Sequence, residues 1–155
     1  MYGPIMSTEP HVTIRRCTVP EILDVRWEAL RAPRPRETAH LTFDDAPETR
    51  HWCAVVSGHV VGSVSVMAAE LPEPDWPHYH SYGWQLRGMA VAASHRGTGV
   101  GGLLLKRVMS EIPSGLWCNA RVTALGFYER HTWEIIGVPF DVPLVGPHRR
   151  MVVPA

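Results

Sequence analysis

The chain carries no excess of either charge: 15 Lys and Arg balance 15 Asp and Glu over 155 residues, without a run of one sign. Nothing in that balance recruits nucleic acid or an anionic membrane surface, and neither is expected as a partner. Long hydrophobic runs are lacking as well, since the apolar stretches fall far short of the ~20 residues that cross a bilayer. The segment Met1 to Met6 has neither a basic nor an apolar region of the secretory kind, and both methionines are candidate starts. Cysteine is scarce. Cys17, Cys53 and Cys118 are odd in number, widely spaced and without a Cys-x-x-Cys, which excludes a disulfide scaffold and fits reduced thiols in the cytoplasm. Cys53 and Cys118 lie in apolar, strand-like contexts where a thiol fills space. Repeats, low-complexity tracts and internal linkers are also missing. The expectation is a tail over 1–10 and one domain over 11–155, large enough to bury a core.

Glycine, by contrast, is concentrated. Arg96-Gly97-Thr98-Gly99-Val100-Gly101-Gly102 places four glycines in six positions, directly before a helical apolar run. Backbone N–H groups without side chains in front of them, at the positive end of a helix, favour a phosphate or pyrophosphate. A tight turn alone would need fewer glycines. The P-loop fails, because Leu103 and Leu104 follow Gly102 and Lys106 comes too late. Gly97, Gly99 and Gly102 have the Gly-x-Gly-x-x-Gly spacing of a dinucleotide site. Such a site follows a strand at once and carries an acid about 20 residues on. Here Ala92-Ala93-Ser94-His95 intervene, and Leu116 to Arg121 hold no carboxylate.

Around this loop, Val12 to Arg16 alternates as a strand. Thr18-Val19-Pro20-Glu21 reads as a capping box opening an amphipathic helix to about Arg31, with Leu23, Trp27 and Leu30 at helical spacing. Residues 32–50 read as an ordered loop or a short second helix. Trp52–Val56 and Val60–Met67 form a hairpin about Ser57-Gly58-His59. The stretch 70–83 is a loop long enough for functional use. A strand to Val91 follows, then a helix whose inner face is Leu104, Leu105, Val108, Met109 and Ile112, ended by Pro113. A short strand, a helix over about 121–131, and strands over 134–137 and 149–153 complete an α/β chain.

Arg96-x-x-Gly99-x-Gly101 resembles the pyrophosphate-binding signature of the GNAT N-acetyltransferase superfamily. Its flanks agree: Gln85 to Val91 resembles that family's fourth strand, Leu116 to Ala120 its fifth, and Gly126-Phe127-Tyr128-Glu129-Arg130 its following helix. The resemblance, over roughly 84–138, implies a mixed central sheet of six to seven strands flanked by about four helices. It implies acetyl-coenzyme A as cofactor, held by Arg96, Gly97, Thr98, Gly99, Val100, Gly101 and Gly102. It also implies that backbone near Met89, Ala90 and Val91 polarises the thioester carbonyl where the fourth and fifth strands part. Gly88 suits a bulge or a close backbone approach there. Asn119 and Phe127 complete the cofactor contacts.

Direct acetyl transfer to a primary amine, in a ternary complex, needs proton management. An alkylammonium is only about one part in 10³ neutral at pH 7, so a base or water chain is expected. Tyr128 stands where the family often places a proton donor for the departing thiolate, or it hydrogen-bonds the sulfur, or it is a core aromatic. Gln85 and Arg87 replace the carboxylate that many relatives carry on the fourth strand, which leaves Glu70 and His148 as base candidates. His78-x-His80 lacks a third ligand, and no metal is expected. Thr132-Trp133 departs from the family's Gly-Phe, so that helix is expected to end differently. The acceptor, a small amine or a peptide or protein amino group, would enter between the first helix and its loop, residues 70–83 and residues 141–147. Asp44, Asp45, Glu70, Glu73 and Asp75 argue for a cationic acceptor, Arg31, Arg34 and Arg36 for one with a carboxylate. A homodimer is compatible with the resemblance, and no residue pattern demands one. The alternative is a coenzyme A-binding regulatory module without turnover.

Overall fold

The computed structural model describes residues 11–112 and 115–154; the tail over 1–10 and the helix-ending Pro113 lie outside the described residues. Seven strands follow one another as β1 (Val12–Arg16), β2 (Arg50–Val56), β3 (His59–Ala68), β4 (Trp84–Val91), β5 (Leu116–Arg121), β6 (Glu134–Val142) and β7 (Gly146–Val152). They form one sheet in the order β1-β2-β3-β4-β5-β7-β6. Only β4 and β5 are parallel, and they register at just two pairs, Trp84↔Leu116 and Gln85↔Trp117. Beyond those pairs the strands diverge, and the rest of each inner edge is left without a strand partner.

Each face of the sheet is covered by helix. The capping box forms as the sequence indicates, with Thr18 N–H donating to Glu21 Oε1 at 2.9 Å, and opens α1 (Val19–Leu30). This helix sets Ile22 and Val25 against Cys53. On the opposite face α2 (Val100–Glu111) buries Val100, Leu104, Leu105 and Val108 against Trp52, Val64, Val66 and Leu86. Each fully buried large apolar side chain contributes about 1.5–3 kcal/mol relative to exposure. Trp52 Nε1 donates to Glu111 Oε2 at 2.8 Å and ties down the far end of α2.

The divergence of β4 from β5 has a local cause. Ser63 pairs with Ala90 and Ser65 with Arg87, so Gly88 and Met89 together face the single residue Val64. This is a β-bulge, and Gly88 at its centre takes φ +64°. Beneath it lies Arg26, 1% exposed, whose Nη1 donates to Asp44 Oδ2 at 2.7 Å and whose Nη2 donates to Ser65 Oγ at 2.8 Å. A Cβ on Gly88 would stand 2.9 Å from Arg26 Nε. Only glycine fits over this buried guanidinium.

Several expectations are corrected. Among the described residues there are three α-helices, not about four, because the 32–50 segment yields only a 3₁₀ turn at Arg36–Ala39. The helix over 121–131 is a 3₁₀ turn, Val122–Ala124, running into a short α3 (Leu125–Glu129). The last two strands are longer than the alternation suggests. Gly137 (φ +68°) and Pro139 lie in a bulge where the register jumps from Ile136↔Arg150 to Phe140↔His148. The bulge interrupts the period of two, and the edge position of β6 tolerates a proline.

Thr132, which departs from the family's glycine, still takes the left-handed conformation at φ +72°. Trp133 N–H then bonds back to Tyr128 O at 3.1 Å, the long-range bond of a Schellman-type ending. The helix therefore ends as it would with glycine, at the expense of strain in a β-branched residue. That strain turns Trp133, 3% exposed, onto Tyr128 at a ring separation of 5.3 Å. Thr132→Gly is expected to stabilise the protein by about 1 kcal/mol in urea unfolding, the relieved strain less the added chain entropy. A loss of stability would show that Thr132 is held by contacts rather than tolerated.

Candidate active site

The 96–102 loop assigns separate tasks to its glycines. Gly97 (φ +77°) and Gly99 (φ +89°) are in the left-handed region, and nothing lies within 4 Å of where their Cβ atoms would be. They turn the chain and leave an open face. Gly101 and Gly102 allow close approach: a Cβ on Gly101 would meet Phe127 Cε2 at 3.3 Å and Val91 Cγ2 at 3.6 Å, and one on Gly102 would meet His131 Nε2 at 3.2 Å. Burial, with Lys106 and Arg130 nearby, pushes the His131 imidazole down and favours its neutral form. The first amide in this stretch to find a backbone acceptor is Leu103, donating to Gly99 O at 3.1 Å. The N–H groups of residues 97–102 are therefore unpartnered by backbone among the described residues, at the positive end of a three-turn helix. Thr98 Oγ1 closes the turn onto His95 O, and Arg96 Nε reaches Val91 O at 3.4 Å.

A cavity of about 510 Å³ occupies the gap between β4 and β5 and reaches both faces of the sheet. From the α2–α3 side it is lined by Leu86, Cys118, Ala120, Ala124, Phe127 and Tyr128. From the α1 side it is lined by Leu30, Arg31, Leu41, Arg87, Arg121 and His148. Cross-strand register explains the division, since residues directly opposite share a face. Arg87 lies opposite Ser65, which bonds Arg26 of α1, and His148 lies opposite Arg121, whose Nη2 donates to Leu30 O at 3.2 Å.

Tyr128 is buried in the same cluster as Cys118, and burial pushes its pKa well above the ordinary phenol value. It therefore keeps its proton and presents a donor. His148, 6% exposed, stacks on Phe140 and donates from Nδ1 to Gly146 O at 2.7 Å. A carbonyl only accepts, so Nδ1 carries a hydrogen, and in the neutral ring the lone pair is then on Nε2.

The other residues singled out in the sequence fall as follows. Met89 lines the cavity, while Ala90 and Val91 pair with Ser63 and Gly62 above the bulge. Val100 is buried in the core under the loop. Asn119 lines the cavity and accepts from Arg150 Nε at 3.1 Å. Glu70 is not brought to the cavity: it follows β3, whose last residue Ala68 pairs with Trp84 at the start of β4, and its exposed carboxylate bonds His80 at 2.6 Å. No residue of 70–83 lines the cavity, contrary to the expected acceptor route. Sequence reasoning overlooked Arg87 and Arg121 as cavity residues, and Cys118 as the neighbour of Tyr128. One signal was available for Arg87: polar Gln85 and Arg87 alternate with apolar Leu86 in a strand that a core would fill on both faces.

Residues 19–133 match the Acetyltransferase (GNAT) family. The chain belongs to that family. It is 25% identical over 139 residues to YitI, an uncharacterized N-acetyltransferase of Bacillus subtilis strain 168, spanning 87% of this chain and 91% of that protein. Among solved structures it is similar to a histone acetyltransferase HPA2-related acetyltransferase from Corynebacterium glutamicum, with TM-score 0.71, 24% identity, and 92% and 96% of the two chains covered. It is also similar to an aminoglycoside 6'-N-acetyltransferase complexed with coenzyme A, with TM-score 0.66, 15% identity, and 90% and 94% covered. These likenesses establish the fold, and the family match makes this GNAT protein an acetyltransferase. Acetyl-coenzyme A is the family's cofactor, and this chain fits it. The amides of 97–102 suit a pyrophosphate, and the unpaired inner edges of β4 and β5 suit an extended amide-bearing arm.

Gly101→Val is expected to weaken coenzyme A binding at least about ten-fold in titration calorimetry, because its branches would press on Phe127 and Val91 and shift the start of α2. Unchanged affinity in a folded variant would show that this spacing is immaterial to the cofactor.

Proposed function

We propose that this GNAT acetyltransferase transfers acetyl from acetyl-coenzyme A directly to a primary amine, with His148 as general base and Tyr128 as hydrogen-bond donor at the sulfur. The observation that supports this most is the lining of one cavity by both residues, each reaching it from a different face of the sheet. Residues 96–102 would hold the pyrophosphate, and Met89 to Val91 with Asn119 and Phe127 the arm and acyl end. Bound there, the cofactor supplies an activated acetyl thioester.

The chain's own groups divide the remaining work. His148 takes a proton from the acceptor at Nε2, and its Nδ1–H on Gly146 O fixes the ring that does so. Tyr128 holds its proton at Oη, since the raised pKa makes full proton transfer from it more uphill than for an ordinary phenol. A fixed donor in a dry gap stabilises developing charge on sulfur without giving up its hydrogen. Apolar Leu30, Leu41, Val142 and Val145 line the α1-side approach and limit water around the reacting amine.

Thiol release from acetyl-coenzyme A over a panel of amines tests the reading. His148→Gln is expected to lower kcat about 10²–10⁴-fold at pH 7, with the deficit narrowing at higher pH as the free amine becomes abundant. Tyr128→Phe is expected to lower kcat with little change in coenzyme A affinity. A His148→Gln deficit that stays constant with pH would remove His148 as the base.

A further inference from the structure

On the transferase reading above, we infer that the accepted amine carries a carboxylate, which Arg87 and Arg121, with Arg31 beside them, hold on the α1 side of the β4–β5 gap. Arg31, Arg87 and Arg121 line the cavity, and no Asp or Glu lines it with them. The near carboxylate is Asp44, and it is already committed: both of its oxygens bond Arg26, and Oδ2 also accepts from Leu41 N–H at 2.7 Å. None of the other acids that argued for a cationic acceptor lines the cavity. Glu70 bonds His80, Glu73 bonds Arg150 at 2.5 Å, and Asp45 lies 3.1 Å from His40.

The guanidiniums have donors to spare. Arg121 gives one N–H to Leu30 O, and Arg31 gives Nε to Thr38 O at 3.1 Å and Nη1 to Leu30 O at 3.4 Å. Arg87 makes no hydrogen bond or ion pair among the described residues, although it is half-buried. Each guanidinium has five N–H donors in a fork that matches a carboxylate. Burial pushes the pKa of both Arg31 and Arg87 down, and neighbouring guanidiniums add to the effect in each. An anion placed among them reverses that penalty, whereas an ammonium without one would add to it. His148 lies on the same face, so an amine anchored through its carboxylate brings its nitrogen toward Nε2.

The test compares kcat/KM for α-amino acids with that for their carboxamides, using the full chain and saturating acetyl-coenzyme A. The free acids are expected to be preferred about 100-fold or more, because the carboxamide leaves buried guanidiniums unpaired. Arg87→Gln is expected to reduce that ratio to within about ten-fold of unity, with Arg87→Lys intermediate. Carboxamides used as well as acids by the wild type, or a ratio unchanged in Arg87→Gln and Arg121→Gln, would overturn the inference, as would preference for aminoalkyl phosphonates. If the variants fail to fold, the wild type still decides: hydroxy acids should inhibit competitively with the amine and hydroxyamides should not, and equal inhibition by both counts against a carboxylate site. Thiol release without acid preference sinks this inference alone. No release with any amine, alongside a hydroxy acid that raises the melting temperature, supports the anion site and sinks the amine-transfer reading.

Discussion

Arg26 lies almost wholly out of water beneath β4, with Asp44, Ser65 and the carbonyl of Ala39 taking the donors of Nη1 and Nη2, while Nε faces Gly88 without a partner among the described residues. Breaking such a pair from one side leaves an uncompensated buried charge, which typically costs about 3–5 kcal/mol. That expense gives the guanidinium authority over its surroundings. It joins α1, the 39–44 segment and β3, and it occupies the space that a side chain on Gly88 would need. The strand above can pass only as a bulge. Once β4 bulges, it leaves β5 after two registered pairs, and the gap between them becomes the cavity. A polar cluster with no chemistry of its own thus shapes the cavity in which the reaction is proposed.

The same gap separates two electrostatic environments. On the α2–α3 side, neutral groups face it: a phenol and a thiol both kept protonated by burial, with aromatic and aliphatic carbon around them. The α1 side presents guanidiniums and an imidazole whose Nδ1 is held by the Gly146 carbonyl. In the proposed reaction a thioester on the first side would meet donors suited to sulfur and oxygen, and an amine on the second a base and positive charge. The unclosed sheet would then let groups from its two faces act on one bond. Dipole and unpartnered amides at the start of α2 would provide the remote hold.

The parts of this arrangement that were legible in the sequence are those governed by local rules. The glycine loop, the capping box of α1, the hairpin around Gly58 and the apolar face of α2 each follow from short-range backbone and periodicity requirements, and each forms. Gly88 was readable as a bulge, but its cause was not, because Arg26 and Asp44 meet over 18 residues of chain. His148 was readable as a base candidate, but one placed before a last strand that was read as starting at Arg149. The bulge around Gly137 and Pro139 hid the pairing that carries His148 to Arg121. The separation of Glu70 from the cavity was hidden for a related reason: the end of β3 at which it sits depends on antiparallel register, which sequence alone does not give. Counting charges could not decide the acceptor's sign, since the decision rests on which acids are already paired.

In the proposed reaction, carrier and acceptor meet in the gap between β4 and β5. Electron density from crystals grown with acetyl-coenzyme A tests it most directly. Diphosphate oxygens should lie about 2.7–3.2 Å from amide nitrogens within 97–102, with the acetyl end inside the gap, Tyr128 on one side and His148 on the other. An acetyl end outside the gap, or Tyr128 and His148 both remote from it, would contradict the account.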